Sequence, residues 1–94
     1  MRTIERSSAF KRDYKRVKAM PRYRKSVDSW LVSILECLAS DGMLPEANCD
    51  HVLGGGWKGY RECHVKPDLL LIYRKPDKHT LRLARLGSHS ELFD

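Results

Sequence analysis

Long apolar runs are missing from this 94-residue chain. The longest, Leu69 to Tyr73, falls far short of the about 20 residues a membrane helix needs. The opening Met-Arg-Thr-Ile-Glu-Arg has no apolar core of signal-peptide type, so the expected setting is cytoplasmic, away from membranes. Cysteine is scarce and odd in number: Cys37, Cys49 and Cys63, with no C-x-x-C pair. That count argues against a disulfide framework and agrees with a reducing compartment. A zinc site from Cys49, His51, Cys63 and His64 would use spacings that fit no usual ligand pattern, so no metal and no cofactor are expected. No repeat, low-complexity tract or Pro/Gly/Ser linker divides the chain, and one domain over residues 1–94 with a modest core is the expectation. Hydrophobic content of 41% and charged content of 32% exclude a disordered chain.

What the chain does have is charge placed unevenly. Residues 1–25 hold ten Lys or Arg against Glu5 and Asp13, a net of +8, whereas the remaining 69 residues carry a net of −2. A basic block of this kind suits a polyanion, nucleic acid being the commonest. It is equally compatible with a solvated helix face, so charge alone does not decide the function.

Arg2 to Arg6 can form a short strand. Ser7 and Ser8 offer N-caps for a helix in which Phe10, Tyr14 and Val17 recur at helical spacing, and Pro21 ends or interrupts it. A second helix is marked by Val27, Trp30, Leu31, Ile34, Leu35 and Leu38, stopped by Gly42 and Pro45. Asp41 to Gly56 reads as a loop. Three strand-like runs follow at 58–65, 69–75 and 80–86, separated by turn residues around Pro67 and Pro76, and Ser88 to Phe93 suits a helical turn. The class is α+β: a helical hairpin covering a small antiparallel meander.

Alternation along 58–65 sets Tyr60, Glu62 and His64 on one face and Arg61, Cys63 and Val65 on the other. His51 lies in the preceding loop, Asp68 in the next turn, and His89 just past the last strand, beside Arg85. Cleavage of RNA by its own 2′-hydroxyl needs a base for the 2′ proton, a cation for the charge on phosphorus and an acid for the leaving 5′ oxygen. Histidine suits the proton transfers and arginine the phosphate. His51, His64, His89, Asp68 and Arg85 can fill those roles without a metal. Each has an ordinary reading as well: histidines at strand ends are usually surface groups, and Asp68 after a proline is a turn residue. Arg85 falls in alternation with Leu81 and Leu83, which should face the core, so the strand must end or bulge before it.

The run Trp57-Lys58-Gly59-Tyr60-Arg61-Glu62-Cys63-His64-Val65-Lys66-Pro67-Asp68, continued through Leu69 to Tyr73, resembles the signature of the YafQ branch of the RelE/ParE toxin superfamily. Leu83-Ala84-Arg85-Leu86-Gly87-Ser88-His89, continued through Phe93, resembles that branch's closing motif. The resemblance implies a RelE-like fold, with an N-terminal strand and helical hairpin packed on a small antiparallel sheet and a short C-terminal helical turn. It implies a ribosome-dependent endoribonuclease that cuts mRNA in the A site, and a cognate antitoxin protein as partner. His51, His64, Asp68 and His89 match the acid–base positions, with His89 the first choice for general acid and the base left open among the other three. Arg85 matches the phosphate-binding arginine and Phe93 the aromatic near the mRNA, with Lys58 also on the substrate side. The chain departs from the pattern at Leu69, where YafQ has tryptophan after the Pro-Asp pair. An aromatic there could stack on a base; Leu69 can also simply continue an apolar strand.

Two other functions fit parts of this reading. A ParE-like toxin directed at gyrase would need no histidine cluster, and a non-catalytic RNA or ribosome binder would leave the histidines incidental.

Overall fold

A computed structural model describes residues 1–93. In chain order its elements are β1 (Thr3–Arg6), α1 (Ser8–Lys18), α2 (Val27–Ala39), β2 (His51–Val52), β3 (Arg61–Lys66), β4 (Leu69–Arg74), β5 (Thr80–Gly87) and α3 (His89–Phe93). Short 3₁₀ turns cover Glu46–Asn48 and Gly55–Trp57. The five strands make one sheet in the order β1-β5-β4-β3-β2. Strands β2 to β5 pair antiparallel, whereas β1 lies parallel to β5, from Thr3 opposite Thr80 to Arg6 opposite Leu83. The fold is α+β, and the expected meander is β3-β4-β5.

Local chemistry accounts for the helices. The Ser7 hydroxyl accepts the Phe10 N–H at 2.9 Å and so caps α1, while Lys15, Arg16 and Lys18 meet the negative end of its dipole. The α2 stripe buries Val27, Leu31, Ile34 and Leu38, with Trp30 and Leu35 partly covered. Its end differs from the expected glycine stop. Asp41, at φ 60°, takes the left-handed position, and the Gly42 N–H closes onto the Cys37 carbonyl at 2.8 Å.

Strand β4 is central and buried on both faces. Leu69, Leu71 and Tyr73 join the main core under α1 and α2, with Phe10, Val17, Leu81, Leu83 and Leu86. Leu70 and Ile72 belong to a smaller cluster on the opposite face, with Ala84 and Leu92, edged by Leu53, Trp57, Tyr60 and Phe93. Leu69 is 1% exposed, so in this chain the position is core and offers no stacking surface.

Two departures from regular pairing matter for the site. Register shifts between Ile72 and Tyr73, which face Arg85 and Leu83, so Ala84 is the extra residue of a bulge. That bulge takes Arg85 out of alternation with Leu81 and Leu83, as the sequence requires. The second departure is β2. The stretch 41–56, expected as a loop, contributes a two-residue edge strand in which His51 faces Glu62 and Val52 faces Arg61. Two residues are too few for alternation to reveal. No helix among the described residues is long and apolar enough to cross a membrane.

Candidate active site

The sheet face away from α1 and α2 carries the histidine end of the candidate site. Glu62 stands opposite Ile72, and His64 opposite Leu70, so both share the face of the smaller apolar cluster. Glu62 is 5% exposed, although sequence alternation suggested an open polar face. Its carboxylate lies between two imidazoles, with Oε1 3.8 Å from His51 Nε2 and 3.5 Å from His64 Nε2. His51 is oriented from its other side, where Nδ1 stands 2.7 Å from the Cys49 carbonyl. A carbonyl only accepts, so Nδ1 carries the hydrogen and a neutral His51 presents Nε2 as its basic nitrogen. Cys49 can curl its carbonyl inward because it sits in the left-handed region, at φ 48°. His64 is held through its backbone by the Asn48 amide, at 2.7 Å from its carbonyl.

At the far end of β5 the chain turns sharply into α3. Ser88 and Glu91 form a capping box: the Ser88 N–H donates to the Glu91 carboxylate at 2.8 Å, and the Ser88 hydroxyl accepts the Glu91 N–H at 3.2 Å. Leu92 anchors the helix on the smaller cluster. His89 is thereby fixed at the first helical position, its ring 5.0 Å from that of Phe93 one turn later. Asp68, in the β3–β4 turn, points its carboxylate at the same helix start, 3.4 Å from the His89 backbone N–H. Asp68 thus meets the backbone of His89 rather than its ring.

Arg85 is not a free cation. Its Nε and Nη2 donate to the Asp13 carboxylate at 2.6 and 3.2 Å. Asp13 lies on α1, 3% exposed, and also accepts the Leu86 N–H at 3.0 Å and Arg16 Nη1 at 2.8 Å. Burial alone would raise its pKa; the hydrogen bonds from Arg85, Leu86 and Arg16 outweigh that and hold it below the usual aspartate value. The same pair raises the pKa of Arg85, its hydrogen bonds to Asp13 outweighing the effect of burial. Arg85 Nη1 is not engaged by Asp13 and can meet an anion.

Lys58 is exposed beside the Trp57–Tyr60 pair, whose rings meet edge to face at 5.2 Å. Gly59, at φ 93°, makes the kink between them, a backbone shape a side chain would strain. Cys63 faces the helical core, fully buried, with burial pushing its thiol up to about 12. It therefore cannot join His64 in the zinc set considered from sequence. Among the described residues no group of three or more His, Cys, Asp or Glu is arranged to hold a metal ion.

Glu62, Asp13, Arg16 and Glu91 were not singled out from sequence. The capping-box spacing of Ser88 and Glu91 was there to be read, and so was a carboxylate at position 13, one step from Phe10 and Val17 on the helix stripe.

Likenesses to known proteins extend over almost the whole chain. Residues 2–94 match the family model described as the bacterial toxin of type II toxin–antitoxin systems, YafQ. The mRNA interferase toxin YafQ of Escherichia coli K12 is 40% identical over 93 residues, covering 98% of this chain and 96% of the relative. Among solved structures, a metal-bound toxin from Helicobacter pylori superposes with a TM-score of 0.85 at 45% identity, over 99% of this chain and all of that one. The E. coli DinJ–YafQ complex matches with a TM-score of 0.82 at 36% identity over the full length of both chains. This chain belongs to the YafQ family of type II toxin–antitoxin toxins.

Proposed function

We propose that this chain cuts mRNA held in the ribosomal A site, acting as one toxin domain over residues 1–94 in the cytoplasm. The observation that carries the reading is the orientation of His51, whose basic Nε2 is left free by the bond at Nδ1 and flanked by the buried carboxylate of Glu62. A 2′-hydroxyl there gives its proton to His51 while its oxygen attacks the adjacent phosphorus. Glu62 steadies the imidazolium that forms. Arg85 offers its free Nη1 to the charge gathering on the phosphorane, while Asp13 keeps the guanidinium in one orientation. His89 protonates the departing 5′ oxygen, leaving a 2′,3′-cyclic phosphate and a free 5′-hydroxyl. His64 shares the Glu62 carboxylate and orients the phosphate, and Asp68 holds the start of α3 so that His89 is aimed. Lys58 and Phe93 contact the strand.

Every role has a side chain in this set, so neither a metal nor another cofactor takes part. The site is shallow, and a ribosome holding the codon supplies the alignment, worth about 7–11 kcal/mol in favourable cases. A protein antitoxin is the partner that silences it, in keeping with the relative solved with DinJ. The test is cleavage of one mRNA on programmed ribosomes and free in solution, with chelator added after ribosome integrity is verified. Cleavage orders of magnitude faster on ribosomes, ending in a cyclic phosphate, is expected. Equal rates with and without ribosomes, or activity that zinc alone restores, would overturn it.

A further inference from the structure

Among the described residues α1 makes no hydrogen bond or ion pair with a histidine, yet it reaches both halves of the phosphate-and-acid end of the site. From α1, Asp13 grips Arg85 through Nε and Nη2 and takes the Leu86 N–H, while Arg16 gives Nη2 to the Leu86 carbonyl at 3.0 Å. These two side chains satisfy the β5 edge just past Arg6, where β1 stops pairing with it. Arg16 also places Nε 3.0 Å from Glu91 Oε2, on the helix that carries His89. That contact is an ion pair and not an aligned hydrogen bond, since the buried Nε–H has no hydrogen-bond partner. A chain of charge therefore runs Arg85, Asp13, Arg16, Glu91. Gly87 leaves room for it: a Cβ there would stand 2.8 Å from Arg16 Nη2 and 3.0 Å from Glu91 Oε1.

We infer that Asp13 and Arg16 are positioning residues, which set the Arg85 guanidinium and the His89 helix in one fixed relation. The inference rests on the proposed roles of Arg85 and His89. Asp13 is placed to act on Arg85 because its carboxylate takes two donors of the planar fork. That leaves the guanidinium no rotation about its stem and one nitrogen, Nη1, for substrate. Burial makes the restraint strong, since a half-exposed carboxylate would exchange Arg85 for water. Arg16 then transmits the same reference point to α3 through Glu91. A positioning loss of about 1 Å can cost about 100-fold in rate.

The experiment measures single-turnover cleavage on programmed ribosomes for Asp13→Asn, Arg85→Gln, the double variant and Gly87→Ala, each checked for folding by near-UV circular dichroism. Asp13→Asn keeps an oxygen for the Leu86 N–H but loses the charge. It should lower the cleavage rate about 10- to 100-fold with little change in the ribosome concentration giving half-maximal rate. The double variant should be no slower than Arg85→Gln alone, because Asp13 has nothing left to position. Gly87→Ala crowds the flexible ends of Arg16 and Glu91 and meets Leu92 Cδ2 only at 3.4 Å, so it should fold, part Arg16 from Glu91, and slow cleavage while Arg85 stays paired. Full activity in a folded Asp13→Asn beside an inactive Arg85→Gln overturns the inference and leaves the proposed function standing. A slower double variant overturns it too, because Asp13 would then act independently. Full activity in Arg85→Gln removes both the arginine's role and the inference. If Asp13→Asn does not fold, an undiminished rate in folded Gly87→Ala is enough to reject the link to α3.

Discussion

Glu62 and His64, two residues apart on β3, meet on one side of the sheet, Oε1 to Nε2 at 3.5 Å, and the carboxylate is 7% exposed at its side chain. An anion so placed is unusual unless its charge is used, because burying it costs free energy that a partner must offset. Glu62→Gln keeps the size but removes the charge that faces both imidazoles. It should reduce cleavage about tenfold or more while the protein binds programmed ribosomes as before. A folded Glu62→Gln protein that cleaves at the full rate would show that the carboxylate has no part in the chemistry.

His89→Ala should reduce cleavage about 100-fold, the usual scale for losing a general acid. Its neighbours predict that folding survives, since the capping box uses Ser88 and Glu91 and the anchor is Leu92. Induction in growing cells lacking antitoxin gives the readout, and undiminished growth arrest would exclude His89 from the reaction.

Asp13 carries a pH signature for stability. Its folded pKa lies below the ordinary 3.8, so its contribution is present in full above that value and is lost as pH falls through the folded value. Melting temperatures of the parent protein should therefore drop below about pH 4 more steeply than those of Asp13→Asn, which lacks this titration. The exposed aspartates Asp28 and Asp41 are common to both proteins and cancel in the difference. Parallel curves would mean that the carboxylate's pairing with Arg85 and Arg16 adds nothing to stability.

The basic block at 1–25 should contact ribosomal RNA through Lys11 and Lys15, both exposed on α1. Lys18 is less available, since its ammonium sits 2.5 Å from the Asp28 carboxylate. Replacing Lys11 and Lys15 with Glu should weaken ribosome association and flatten its dependence on salt, by about 0.7–0.9 in the log–log slope for each phosphate no longer neutralised. Binding that stays unchanged across a salt titration would assign this face to solvent or to the antitoxin.

The parts of this fold that the sequence announces are those with a period. Phe10, Tyr14 and Val17, the α2 stripe and the apolar β4 run each repeat often enough to mark an element and its buried side. The bulge at Ala84 could be inferred because Arg85 broke a period that Leu81 and Leu83 had set. What stayed hidden is what depends on partners distant in sequence. The strand at His51 exists only because Glu62 and Arg61 pair with it. The burial of Glu62 depends on the packing of elements far apart in the chain. Likewise Arg85 read as a free phosphate cation, because its clamp, Asp13, lies 72 residues earlier. The residue types of the candidate site were legible; which of them hold one another was not.

The parallel pairing of β1 with β5 ties the first strand to the last. During synthesis a nascent chain emerges with β1, α1 and α2 long before β5, so β1 has no strand to pair with and the main core lacks Leu81, Leu83 and Leu86. Asp13 likewise has no guanidinium to hold until Arg85 of β5 has been made. Truncation anywhere before β5 therefore removes the neighbour of β1, the partner of Asp13 and part of the main core together, so such a fragment should not fold.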